Sequence, residues 1–327
     1  MLSLLELESA ADLVHSVLSA TPQIAWPLLA DQCGAEVWVK HENHLPTGAF
    51  KVRGGLVFLA DLVEREPHLP GVITATRGNH GQSIGFAARL MGVKATVVVP
   101  HGNSREKNLA MRALGVELVE HGHDFQAAAE HAVLLAAERG LFMVRSFHPL
   151  LVRGVATYAL ELFRAVSNLD TVYVPIGMGS GACGVIAARN AMGLRTKVVG
   201  VVSDRAPAYA LSFRHKELLA TETADTFADG VACRTPDPEA LAVMFHGLER
   251  VVMVPEEAIR EAMRRYFTAT HNLAEGAGAI ALAALWRERE RMKGKRVGVV
   301  LSGGNIDREV YREVLEDEAV SERSFPG

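Results

Sequence analysis

A chain of 327 residues with 49% apolar and 22% charged side chains has room for two ordinary domains and is too apolar for disorder. Its formal net charge of −4 supplies no basic field for a phosphate backbone, which argues against nucleic acid as a partner. The cysteines Cys33, Cys183 and Cys233 are odd in number and lack CxxC spacing, which argues against a disulfide framework or structural zinc and fits a reducing, cytoplasmic location.

Residues 1–18 read as an amphipathic helix, because Glu6, Glu8 and Asp12 interrupt the apolar positions and no basic stretch opens a signal peptide. No apolar run is long enough to span a bilayer, so no membrane partner is expected. After Thr21-Pro22 comes a short strand at 36–39, leading into His41-Glu42-Asn43. The chain then alternates. A strand at 71–75, a glycine-bearing turn at 76–81 and a helix at 82–91 are followed by a strand at 95–100 and a helix at 104–114 with Ser104 as N-cap. A strand at 116–120 precedes a helix at 124–139 capped by Asp124. Further strands are expected at 171–176, 197–202 and 296–301, then a helix at 308–314 and a polar, fraying tail.

Short β-branched strands alternating with helices of ten or more residues specify parallel sheets covered on both faces. The fold class is therefore α/β, with two open, mostly parallel layers divided near Phe147-His148-Pro149. Ligands of such sheets bind beyond the carboxyl ends of the strands. The turns there are 76–81, 177–184 and Ser302-Gly303-Gly304-Asn305.

Pro46-Thr47-Gly48-Ala49-Phe50-Lys51-Val52-Arg53-Gly54-Gly55 sets one lysine between a turn and an apolar helical run. In isolation such a lysine is a solvated surface charge. Gly177-Met178-Gly179-Ser180-Gly181-Ala182-Cys183-Gly184 follows a strand and opens a helix, so its exposed amides suit a phosphate, with a dipole contribution of about 0.3 to 1 kcal/mol. Gly179, Gly181 and Gly184 also spell GxGxxG, with Asp204 ending the next strand, the pattern of a dinucleotide site. That segment alone supports a Rossmann-type nicotinamide oxidoreductase. It leaves Lys51, the Asn79 turn and the Ser302 turn without a role.

In their chain order these segments resemble the pyridoxal-phosphate-dependent threonine/serine dehydratases, the family that includes serine racemase. The resemblance runs from Thr21-Pro22 to Asn305. It rests on Lys40-His41-Glu42-Asn43 with the Lys51 stretch, Gly78-Asn79-His80-Gly81-Gln82, Pro175-Ile176-Gly177, Asp229-Gly230-Val231-Ala232, Glu275-Gly276-Ala277-Gly278-Ala279 and Ser302-Gly303-Gly304-Asn305. It implies fold type II, with 1–46 and 149–327 as a large cofactor-binding domain and 47–148 as a small, mobile, substrate-binding one. Pyridoxal 5'-phosphate would occupy the cleft between them. Lys51 would hold it as a Schiff base, Phe50 would lie beside the ring and Asn79 would reach its phenolic oxygen. The amides of Gly177, Met178, Gly179, Ser180 and Gly181 would bind the phosphate, Ser302 would face the pyridine nitrogen, and Glu275 would lie near the cofactor. Thr76, Arg77, Asn79 and His80 would form the loop that holds the substrate carboxylate.

A hydroxyl at the pyridine nitrogen stabilises a protonated ring less than a carboxylate would, which weakens the electron sink and favours elimination over transamination. The implied reaction is β-elimination from a β-hydroxy-α-amino acid, with Lys51 taking the Cα proton and a 2-keto acid and ammonia as products. A small amino-acid substrate, a homodimer and a place in amino-acid catabolism go with it. A ligand sensor that keeps the fold without the chemistry is the non-enzymatic alternative.

The chain departs from the family pattern in places. Met178 and Ser180 stand where relatives have glycines. Arg77 replaces a small residue, a serine in the racemases, so racemisation is not expected. Its guanidinium either meets a larger or anionic substrate than threonine or serine, such as phenylserine or 3-hydroxyaspartate, or pairs with an acidic residue away from the cleft. Ser203, Pro207 and Tyr209 fall where some relatives bind a divalent cation through carboxylates, so no metal and an EDTA-insensitive activity are expected. His121-Gly122-His123-Asp124 reads as a turn and cap, His148 as a substrate contact, and Trp26 as narrowing the site or simply packing. A regulatory domain like that of some biosynthetic relatives is not expected after the last helix.

Overall fold

Valine-rich runs become strands, the central ones buried on both faces, and two sheets result. A computed structural model describes residues 2–316. Its strands are β1 (Gln23–Ala25), β2 (Glu36–His41), β3 (Val72–Ala75), β4 (Ala95–Val99), β5 (Glu117–Glu120), β6 (Phe142–Met143), β7 (Thr171–Pro175), β8 (Lys197–Ser203), β9 (Arg250–Val254) and β10 (Arg296–Leu301). The six-stranded sheet has the order β1-β2-β10-β7-β8-β9 and the four-stranded sheet the order β5-β4-β3-β6. All neighbours are parallel except β1 with β2. The last strand thus enters the middle of the larger sheet, where Val299 faces Val39 on one side and Tyr173 on the other. This places its carboxyl end, and Ser302 beyond it, in the centre of the molecule.

The expected strands and helices are present with shifted ends. The first helix is Leu4–His15, closed by a Ser3–Glu6 capping box. Ser104 and Asp124 accept from the amides of Lys107 and Ala127, and so cap their helices. The helix expected at 82–91 is Asn79–Leu90, because Gly78, at φ 155°, turns the chain so sharply that the glycine-bearing turn already supplies the first helical turn. β1 and β6, of three and two residues, are too short to show alternation. The last helix is Arg308–Glu316; the tail beyond it lies outside the described residues.

The helix Lys51–Arg65 joins the two layers. Val52, Leu56 and Leu59 sink into the core of the smaller sheet, while Gly54 lies against the helix Pro149–Ala165 so closely that a Cβ there would stand 2.8 Å from the Leu151 carbonyl. On its other side Arg53 is fully buried, with Nε and Nη2 donating to Glu42 at 2.7 and 3.0 Å and Nη1 to Glu161 at 2.6 Å. Lys40 donates to Glu161 at 2.5 Å and to the Thr21 carbonyl at 2.7 Å. Burial alone would raise the Glu161 carboxyl, but Arg53 and Lys40 outweigh it and hold it down at about 2. The start of the Lys51 helix is therefore clamped by charge as well as by packing.

Candidate active site

Lys51 is the first residue of its helix, and its surroundings fix it from several directions. The Phe50 amide donates to the Ser302 carbonyl at 3.1 Å, and Ser83 Oγ donates to the Lys51 carbonyl at 2.6 Å. Nζ lies 5.1 Å from the Phe50 ring centre. Burial lowers its pKa to about 8, with the Glu275 carboxylate acting the other way. An amine tuned so is a nucleophile and base near neutral pH.

The cavity beside it brings together Lys51, residues 76–80, Gly177, Met178 and Asp229. Two helices begin at this cavity. At the start of Ser180–Ala191, turned by Gly179 at φ 101°, the amides of residues 177–182 donate to no carbonyl or side chain among the described residues. At the start of Asn79–Leu90 the same holds for the amides of 77 and 79–81, while the Gly78 amide donates to Thr76 Oγ1 at 2.9 Å. Both ends offer converging N–H groups and the positive end of a helix dipole, the conditions for holding an anion. One cavity thus has two anion cradles and an amine of lowered pKa.

The first cradle is braced from behind. The Tyr209 hydroxyl donates to the Met178 carbonyl at 3.1 Å and accepts from the Asp237 amide at 3.0 Å. A Cβ on Gly177 would collide with the Gly230 carbonyl, so the two loops touch backbone to backbone at the cavity wall. Gly184, the third glycine of the GxGxxG pattern, lets its helix approach Ala156, where a Cβ would stand 3.1 Å from the backbone. Asp204 is exposed.

A line of polar and charged side chains runs along the cavity from one layer to the other. Asn79 donates to Glu275 at 2.6 Å and accepts from Asn305 at 2.8 Å. Lys107 lies 3.2 Å from Glu275 and 3.6 Å from Asp229, and Arg77 meets Asp229 at 3.3 Å. Glu275 stands at the N-cap of Gly276–Arg287 but makes no capping bond, spending its carboxylate on Asn79 and Lys107. Arg77 does have an acidic partner, as one reading anticipated, but inside the cleft and not away from it. His80 is buried, its Nε2 has no partner, and burial followed by the nearby Lys51 lowers it to about 3. Ser302 Oγ, at the end of β10, donates to the Ala277 carbonyl at 3.2 Å.

Other expectations fall elsewhere. His148 Nδ1 accepts from the Leu150 amide at 3.1 Å and its ring packs on Phe58, so it serves as a helix cap. Trp26 donates to His41 at 3.0 Å and does not line the cavity. Ser203 donates to Glu256 at 2.6 Å, and Thr226 does so at 2.7 Å. Among the described residues no group of three or more His, Cys, Asp or Glu side chains could hold a metal ion. Sequence reasoning missed Lys107, which nothing in its local motif marks, and Phe125 and Ser146 in the cavity wall. It quoted Asp229 and Gly230 without giving them a role.

Residues 15–303 match the family described as pyridoxal-phosphate dependent enzyme. The chain is 35% identical over 312 residues to an L-threonine ammonia-lyase of Geobacter sulfurreducens, covering 95% of this chain and 77% of that one. It is 32% identical over 308 residues to an L-threonine ammonia-lyase of Thermotoga maritima, covering 94% and 76%. The solved structure of the processed form of threonine deaminase isoform 2 from Solanum lycopersicum superposes with a TM-score of 0.89 at 29% identity, over 96% of this chain and 91% of that one.

Proposed function

Because the chain belongs to the pyridoxal-phosphate-dependent enzymes, we propose that it is a dehydratase, or ammonia-lyase, that converts a β-hydroxy-α-amino acid to a 2-keto acid and ammonia. The observation that carries this is the pairing of two helix N-termini with free amides around one lysine of lowered pKa.

The residues fit the cofactor. The free amides of residues 177–182 suit its phosphate, and Lys51 suits its carbonyl carbon. We assign Phe50 to the ring, Asn79 to its phenolic oxygen, Ser302 to its nitrogen and Glu275 to holding Asn79. When bound, the group supplies an electron sink for negative charge developing at the substrate Cα. The free amides of 77 and 79–81 orient the substrate carboxylate, with Thr76 shaping that turn. The Lys51 amine, free above about pH 8, takes the Cα proton. His80, uncharged at neutral pH, sets no second cation beside it. Loss of the β-hydroxyl leaves an enamine, which becomes an imine and exchanges its nitrogen for water as ammonia departs.

The four-stranded layer at 47–148 is assigned as the small, mobile domain, with 1–46 and 149–327 forming the large one. A cytoplasmic homodimer completes the reading. The homodimer is taken from the family resemblance, and the cytoplasm from the cysteines: Cys33, Cys183 and Cys233 are unpaired and buried, with burial raising each thiol. No described helix is long and apolar enough to cross a membrane.

Lys51→Ala tests the reading. The purified protein should absorb in the visible and release keto acid from a panel of β-hydroxy amino acids, and the variant should lose both. A coloured protein with no keto acid from any substrate would favour a sensor. A colourless one that binds a nicotinamide would overturn the assignment.

A further inference from the structure

We propose that Arg77 is an exchangeable clamp for a second carboxylate on the substrate Cβ, so that the preferred substrates are β-hydroxy-α-amino dicarboxylates. This rests on the dehydratase reading above and names its substrate class.

Position is the first reason. Arg77 lies in the turn whose free amides, at 77 and 79–81, face the cavity, and its side chain lines that cavity with Lys51. A substrate whose α-carboxylate sits on those amides has its Cβ substituent within the reach of a long side chain from the same turn. The amides already serve one carboxylate, which leaves the guanidinium for another.

The present state of Arg77 is the second reason. Among the described residues, one of its five N–H donors is engaged with a side chain, Nη1 with Asp229 at 3.3 Å. Both side chains are partly open to water, at 38% and 32% exposure, so the pair is weak and cheap to exchange. A substrate carboxylate could take two donors in parallel, a stronger arrangement than the single contact it replaces.

The third reason is what happens to Asp229 after the exchange. Lys107, 3.6 Å from it and 3.2 Å from Glu275, remains as its partner, so no carboxylate is left bare in the cleft. The methyl group of threonine gives the guanidinium nothing to bind. An aromatic substituent would use its flat face and leave the in-plane donors idle.

The chemistry needs no added reactant. For 3-hydroxyaspartate the Cα–H bond breaks with the proton passing to Lys51, and the Cβ–O bond breaks with the hydroxyl leaving as water. The enamine then tautomerises and takes up one water as ammonia leaves. The product is a 2-keto dicarboxylate, and the net change is loss of ammonia.

The test compares kcat/KM for 3-hydroxyaspartate, threonine and phenylserine in the holoenzyme and in Arg77→Ser, Arg77→Lys and Asp229→Asn. The wild type should favour 3-hydroxyaspartate over threonine by at least about tenfold, as expected for a charge-assisted contact. That ratio should fall about tenfold or more in Arg77→Ser, less in Arg77→Lys, and rise in Asp229→Asn. Calorimetry with succinate against butyrate should give the same order without turnover. A wild-type preference for threonine or phenylserine overturns the proposal, as does a ratio unmoved in a folded Arg77→Ser protein. If no substrate yields keto acid, the dehydratase reading fails, and the succinate-to-butyrate ratio of wild type and Arg77→Ser decides the clamp alone.

Discussion

The Arg53 guanidinium holds the Glu42 carboxylate through two parallel hydrogen bonds, at 2.7 and 3.0 Å, with both side chains closed to water. The turn that follows β2 at Glu42 is thereby tied to the first turn of the helix that begins at Lys51. Two carboxylates, Glu42 and Glu161, converge on this one cation with Lys40 beside them. Taking out one member of such a cluster strands buried charge. Arg53→Met should therefore destabilise the protein by about 3–5 kcal/mol in urea unfolding. A loss under about 1 kcal/mol would mean that the cluster is solvated or neutral and does not anchor the helix.

Cofactor uptake should depend on pH through Lys51. Burial lowers this amine to about 8 in the folded protein, so the nucleophilic form predominates above that pH and falls about tenfold per unit below it. His80, held near 3, keeps one charge state through this range and adds no inflection. The association rate of pyridoxal phosphate with cofactor-free protein, followed by visible absorption, should be half-maximal near pH 8 and level off about one unit above it. A climb continuing to pH 10 would show an ordinary, unshifted lysine.

Gly177→Ala tests the phosphate cradle without touching a charge. The added methyl would meet the Gly230 carbonyl first, and backbone cannot rotate aside as a side chain can. Overpacking of this kind costs about 1–3 kcal/mol, and here the strain falls on the loop with the free amides. Cofactor affinity should drop by at least about tenfold, the equivalent of 1.4 kcal/mol. Unchanged affinity would place the phosphate elsewhere.

Legibility in the sequence followed the range of each interaction. The caps at Ser104 and Asp124 are local, so one short motif reveals them. The role assigned to Lys51 rests on the order of several glycine turns, since a parallel sheet gathers such turns at one edge. The Arg77–Asp229 pair spans 152 residues and two layers, and no local pattern carries it. An acidic partner could be foreseen, but its place inside the cleft could not. Lys107 was invisible for the same reason: in sequence it is one more polar residue on a short helix, and only the fold aims it at Glu275. His148 misled in the opposite direction, its position before a proline being sufficiently explained by a helix cap.

Tyr209 is a brace where some family members are expected to bind a cation. Its ring is buried, burial raises its hydroxyl well above the usual range, and the oxygen is spent between Met178 and Asp237. Asp237 in turn caps the helix Pro238–Gly247, accepting from Glu239 at 3.0 Å and Ala240 at 3.2 Å. One hydroxyl therefore joins the phosphate loop to a helix start, a link that requires no metal. Tyr209→Phe keeps the ring and strands both the Met178 carbonyl and the Asp237 amide, a cost of about 1–3 kcal/mol. Cofactor affinity should fall along with stability, because the carbonyl that loses its donor belongs to the loop assigned above to the phosphate. Wild-type activity and melting temperature should be the same with EDTA as with added magnesium. A protein that melts earlier in EDTA, or a Tyr209→Phe variant that unfolds at the wild-type urea concentration, would show that something other than this hydroxyl holds the loop.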